Sequence, residues 1–213
     1  MAAFPGFLAH PMPQRTSNVH LPQDRSGTAL IIVDMISRWD FPGGTRLCAA
    51  AKAMAPRLAR LRQRCKSRRL PVIYANDNRG RWRSDFRELL QEAEQAGGAG
   101  AAIASLLRPD GDDYFVLKPA QSAFHATPLD VLLEFLGVHR LILTGVAGDQ
   151  CVLASAMDAR MRGFEVMVPG DAIASQTAAR NRAAVRHFAD VLGLPVSPVE
   201  RIRLPARTER SDA

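Results

Sequence analysis

A thiol, a carboxylate and an ammonium each stand where an apolar run ends. Cys151 follows Leu141-Ile142-Leu143-Thr144-Gly145-Val146-Ala147-Gly148-Asp149-Gln150, a hydrophobic run, a glycine-containing turn and the expected start of a helix. Free amides at a helix N-terminus, with the positive end of the helix dipole, stabilise a thiolate. The same amides can hold the oxyanion that forms when sulfur attacks a carbonyl. Asp34 closes Ala29-Leu30-Ile31-Ile32-Val33, and Lys118 closes Tyr114-Phe115-Val116-Leu117. A carboxylate can take the thiol proton, and an ammonium between the two steadies both anions. No histidine is required.

Each residue has a plainer explanation when taken singly. Asp34 could be a turn aspartate, Lys118 a surface lysine and Cys151 a packed thiol. Their placement at three strand ends of one sheet is what makes a candidate catalytic set of Asp34, Lys118 and Cys151. The other two cysteines differ, since Cys65 lies on a helical apolar stripe and Cys48 flanks it, as packing residues do. Three cysteines without CxxC spacing argue against a disulfide framework and a zinc site. The five histidines show neither HxH nor HExxH spacing, and no GxGxxG or Walker pattern occurs. The expectation is therefore no metal, no nucleotide and no other cofactor.

The elements that must position the three residues alternate regularly. Apolar runs at 29–33, 71–75, 114–117, 140–144 and 164–168 suit strands buried on both faces. Leu47, Ala51, Met54, Leu58, Leu61 and Cys65 recur at steps of three and four, a helical stripe, with Pro56 inside it. Thr127-Pro128-Leu129-Asp130 has the form of a helix start, and Gly137 of its end. A helix follows Cys151, and another is expected over 176–192. Repeated strand–helix–strand units imply an α/β fold, a three-layer α-β-α domain with a mainly parallel, Rossmann-like sheet. Ligands in such sheets bind at the C-terminal strand ends.

A chain of 213 residues can bury a sizeable core as one domain. The expected organisation is an extended arm over 1–25, the folded α/β domain over 26–204 and a flexible tail over 205–213. No apolar run is long enough to span a bilayer, and the proline-broken N-terminus lacks a signal-peptide pattern. A cytoplasmic, homo-oligomeric protein is expected. The net charge of +7 could mean nucleic acid, but the arginines that produce it are scattered. Neither nucleic acid nor membrane is expected as a partner. A small molecule is.

The segment from Tyr74 to Phe86 is dense in hydrogen-bonding groups and follows a strand. It is either a solvated connection or a pocket wall. On the second reading Asn78, Arg79 and Trp82 overhang the nucleophile, Trp82 stacks on a flat substrate and Arg79 pairs with a carboxylate. Phe41 and Phe124 flank the other motifs and complete an apolar wall.

Taken in order, these segments resemble the isochorismatase-like cysteine hydrolase superfamily, which includes isochorismatases, nicotinamidases and N-carbamoylsarcosine amidohydrolases. The resemblance covers residues 26 to 200. Ala29 to Met35 is similar to the first strand with its aspartate. Phe41-Pro42-Gly43-Gly44 is similar to the following loop, Lys118-Pro119-Ala120-Gln121-Ser122-Ala123-Phe124 to the lysine motif, and Thr144 to Val152 to the nucleophile motif. The resemblance implies a cis peptide before Ala147 and an oxyanion hole made by the amides of Ala147 and Cys151. Metal-dependent nicotinamidases carry an Asp-x-His motif. Asp77-Asn78-Arg79 stands there instead, which implies metal independence. Isochorismatases proper lack the cysteine, so Cys151 points to an amidase-type reaction. Three functions compete: a cysteine hydrolase cleaving a C–N bond of a small amide or carbamoyl compound through a thioester, a metal-free vinyl-ether hydrolase, and a non-catalytic metabolite-binding protein.

Overall fold

Runs that are apolar at every position build the sheet. The computed structural model describes residues 27–83 and 85–206. Its strands are β1 (Thr28–Val33), β2 (Val72–Asp77), β3 (Tyr114–Lys118), β4 (Arg140–Val146), β5 (Glu165–Met167) and β6 (Ile173–Ala174). They run in the order β3-β2-β1-β4-β5, with β6 beside β4, and every pairing is parallel. The five expected strands coincide with β1 to β5 to within two residues at each end. β6 is two residues long, too short to show a period.

Alternation along each strand feeds two apolar layers. Leu30, Ile32 and Tyr74 pack under α1 (Gly44–Ser67), α2 (Phe86–Gln95) and α3 (Gly98–Leu106). Ala29, Ile31, Val33, Ile73 and Ala75 pack under α4 (Leu129–Phe135), α5 (Cys151–Met161) and α6 (Ala178–Arg186). Strands buried on both faces need no polar alternation, and each fully buried Leu or Ile contributes about 1.5–3 kcal/mol. The result is the expected three-layer α/β fold. The helix expected over 176–192 is shorter, because α6 ends at Arg186 and the chain widens into a π-turn over His187–Val191.

Two helices carry side-chain caps. Asp85 accepts from the Glu88 N–H at 2.9 Å before α2, and Thr177 from the Arg180 N–H at 3.2 Å before α6. α5 has none: Gln150 precedes it without a side-chain cap hydrogen bond. In that first turn the Val152 N–H donates to the Ala147 carbonyl, and the Cys151 N–H has no backbone acceptor among the described turns.

The arm expected over 1–25 lies outside the described residues, as does the tail from 207 onward. Pro205 and Ala206, at the start of the expected tail, are the last described residues. Arg68 on α1 donates to the carbonyls of Leu204 and Pro205 at 3.0 and 2.8 Å, and Arg64 to those of Val199 and Ile202. Those arginines tie the chain's last described residues to the helix. Among the described residues, no helix is long and apolar enough to cross a membrane.

Candidate active site

The strand order reverses between β1 and β4, and loops leaving the two strands part there, opening a crevice at the C-terminal edge. Asp34 leaves β1 there with φ at 51°, a left-handed turn that only local bonding sustains in a non-glycine residue. Its N–H donates to the Ala75 carbonyl at 3.0 Å, and its Oδ1 accepts from the Asp77 N–H at 2.7 Å. β4 runs beside β1 to the same edge. Gly145, paired with Val33, has φ at 103°, and a Cβ there would lie 2.1 Å from the Val33 carbonyl oxygen. Only glycine lets the two strands approach so closely. The next peptide, Val146–Ala147, is cis. The N–H groups of Gln150 and Val152 both donate to the Ala147 carbonyl, and α5 begins at Cys151.

Asp34, Lys118 and Cys151 converge. Lys118, fully buried at the end of β3, places Nζ 2.8 Å from Asp34 Oδ2, 3.1 Å from the Ala120 carbonyl and 3.5 Å from Cys151 Sγ. Cys151 and Asp34 lie near enough for each to shift the other's titration. Burial raises the Asp34 carboxyl above its ordinary range, against the pull of Lys118. Burial works to lower the Lys118 ammonium, but the Asp34 charge, joined by its hydrogen bond, leads the contributions that outweigh it and hold it charged. Burial and the charge of Asp34 push the Cys151 thiol up to about 12, more than Lys118 can offset. This agrees with the expectation that a carboxylate takes the thiol proton. In the resting site the thiol keeps its proton, and a base must remove it during reaction.

A cavity of about 330 Å³ adjoins the three groups, the size of a small-molecule site. Its apolar wall is Ile36, Trp39, Phe41, Leu47 and Val146. Asn76, Asp77, Arg79 and Gln150 supply polar groups, and Ala147 and Cys151 also line it. No histidine is among the lining residues described. Gly44 shapes the wall, since a Cβ there would meet the Trp39 carbonyl oxygen at 2.1 Å. That close approach folds the Trp39–Phe41 loop against the start of α1.

Of the residues expected to bind substrate, Phe41 and Arg79 line this cavity and Asn78, Trp82 and Phe124 do not. Asn78 is buried in a turn, where its Oδ1 accepts from the Gly80 N–H and its own N–H donates to the Lys118 carbonyl. Trp82 projects outward, 78% exposed. Phe124 packs on Phe164 and beneath the Arg162 guanidinium in the opposite apolar layer. Arg79 does not present a free guanidinium, because it is bound to Asp40. Sequence reasoning missed Trp39 and Asn76. The signal for Asn76 was its parity with Tyr74 on β2, which puts both on the cavity side of the sheet.

The model of the isochorismatase domain family matches residues 28–199. An uncharacterised isochorismatase family protein of Bacillus subtilis, YaaI, is 35% identical over 178 residues, covering 84% of this chain and 97% of that protein. Enterobactin synthase component B of Escherichia coli K12 is 28% identical over 205 residues, covering 92% of this chain and 69% of that protein. Among solved structures, N-carbamoylsarcosine amidase of Thermoplasma acidophilum superposes with a TM-score of 0.64 at 25% identity, over 83% of this chain and 99% of that one. With the fold, the order of its motifs and this match over most of its length, the chain belongs to the isochorismatase family, whose described relatives include hydrolases and amidases.

Proposed function

We propose that the protein is a cysteine hydrolase that cleaves the C–N bond of a small amide or carbamoyl compound. The observation that carries this reading is Lys118 Nζ bridging Asp34 and the Cys151 sulfur beside a cavity of substrate size. Asp34 takes the Cys151 proton as sulfur attacks the substrate carbonyl. The N–H groups of Ala147 and Cys151 receive the oxyanion. In support, α5 has no side-chain cap, and neither N–H donates to a backbone carbonyl among the described turns. Asp34 returns the proton to the leaving nitrogen, the C–N bond breaks and a thioester remains. Asp34 then takes a proton from water, which attacks the thioester and releases the acid and the thiol. A carboxyl raised above its ordinary range suits both directions of proton transfer.

Cys151→Ala should lower turnover of any amide the wild type hydrolyses by at least ~10³, by analogy with nucleophile deletions in other triads. Ammonia release from a panel of small amides and ureides measures it, and near-full activity in the variant would overturn the reading. A second reading, vinyl-ether hydrolysis with Asp34 as the acid, draws on the same raised carboxyl. It leaves the thiol idle, so the same variant separates the two.

A further inference from the structure

We propose that Asp40 sets the charge selectivity of the cavity: it cancels the cation on the wall, so the site takes neutral planar amides or ureides and rejects carboxylates. This rests on the amide-hydrolase reading and names the substrate class that reading leaves open.

Arg79 is the one cationic residue among those described that line the cavity. An unpaired guanidinium there would anchor a substrate carboxylate, as its fork geometry favours. Its Nη2 is instead taken by Oδ1 of Asp40, on the loop between Trp39 and Phe41. Arg38 braces the other oxygen of Asp40 at 3.3 Å and itself approaches Glu92 at 4.0 Å. The deeper cation, Lys118, is committed to Asp34, the Ala120 carbonyl and Cys151. At the rim, Asp77 presents a half-exposed carboxylate 4.0 Å from Lys118. Of the two cations nearest the cavity, Arg79 is thus paired with Asp40 and Lys118 with Asp34, while Arg38 lies behind Asp40 and is shared with Glu92.

The polar group that remains points to the same ligand. Asn76 is 2% exposed and lines the cavity. Its Nδ2 donates to the Ile36 carbonyl at 2.7 Å, while Oδ1 is buried with no partner among the described residues. Oδ1 has essentially no accessible surface, so a ligand N–H reaches it only if the Asn76 amide turns toward the cavity, and an acceptor otherwise without a donor favours that pairing. An amide or urea supplies that N–H, and a carboxylate does not. Trp39 and Phe41 supply flat apolar surface for the rest of the molecule.

The chain has two tryptophans. Trp82→Phe removes the exposed one and leaves Trp39 as the fluorescent reporter of the cavity. Titrating that protein with benzamide and with benzoate should give a benzamide affinity at least ~10-fold higher. Adding Asp40→Asn releases the Arg79 guanidinium, and the benzamide preference should fall by about 10-fold. Adding Arg79→Met as well should restore it, and Arg79→Met alone supplies the fourth corner of a double-mutant cycle on the pair. Benzoate binding as tightly as benzamide in the first protein, or a preference unmoved by Asp40→Asn, overturns charge selection and leaves the hydrolase reading standing. If neither ligand perturbs Trp39, the cavity is not a site for small planar amides and the charge-selection proposal falls, while ammonia release from the amide panel still decides the hydrolase reading.

Discussion

Lys118 has three ammonium protons and three acceptors: Asp34, the Ala120 carbonyl and the Cys151 sulfur. A buried ammonium so satisfied holds the acid and the thiol together without releasing the thiol proton. The thiol stands at about 12 because burial and the Asp34 charge both resist a second anion. This sets the sign of a prediction. Asp34→Asn removes the charge that holds the thiol up, while Lys118 remains to favour the thiolate. Cys151 should then react faster with iodoacetamide at neutral pH, although turnover falls by ~10² or more because the base is gone. Alkylation can be followed at Cys151 because Cys48 and Cys65 are buried. Slower alkylation together with lost turnover would show that Asp34 supports the thiolate instead of receiving its proton. The residue types that do this chemistry were legible in the sequence, since each stands at the end of a separate apolar run. The thiol's protonation was not, because it depends on how completely the fold excludes water from the three groups.

Strand approach is set by Gly145, and the prediction at this scale follows from it. Gly145→Ala places a Cβ 2.1 Å from the Val33 carbonyl oxygen and forces a side chain onto φ of 103°. Both faults lie one residue before Asp34 and one before the cis peptide. The substitution should cost at least ~2 kcal/mol, seen as a lower thermal midpoint, and should lower turnover more than that loss of folded protein explains. A variant with wild-type midpoint and turnover would show that β1 and β4 can part without consequence. Element positions were legible wherever a run was apolar throughout, as in β1 and β4. The cavity wall was not. Asn76 and Asn78 share a parity on paper, but β2 ends at Asp77, so Asn78 turns down into hydrogen bonds with Gly80 and Lys118. Trp82 and Trp39 carry the same chemistry in sequence. The close approaches of Gly44 to the Trp39 carbonyl and of Gly100 to its ring hold Trp39 inward, while Trp82 stays exposed. Phe124 adjoins Lys118 in sequence, yet the chain carries it to the other layer, where the Ala123 N–H is fixed to Ser155 Oγ at 2.9 Å.

Across the whole molecule, buried thiols make stability depend on pH in a definite direction. Burial raises Cys65 to about 12, and Cys151 reaches about 12, both from an ordinary 9.0. Between pH 9 and 12 the unfolded chain therefore loses protons that the folded chain keeps. A folded pKa raised above the unfolded one stabilises fully below the unfolded value and is lost as pH rises. The thermal midpoint should fall steadily above pH 9, and Cys65→Val should flatten that fall. A midpoint constant to pH 11 would contradict it. Net charge of +7 carries less functional meaning than it suggested, because many arginines hold backbone carbonyls or carboxylates. Arg64, Arg68 and Arg160 reach carbonyls of the C-terminal third, and Arg180 holds Asp149 beside the nucleophile. The central claim, nucleophilic catalysis by Cys151, is tested most directly on the intact chain. Rapid acid quench during turnover of an amide substrate, followed by intact-mass measurement, should show the chain plus substrate minus ammonia or amine, with the added mass on the Cys151 peptide. An unmodified chain at every quench time in Asp34→Asn and wild-type protein alike, while the wild type turns over and Cys151→Ala keeps pace with it, would contradict the claim.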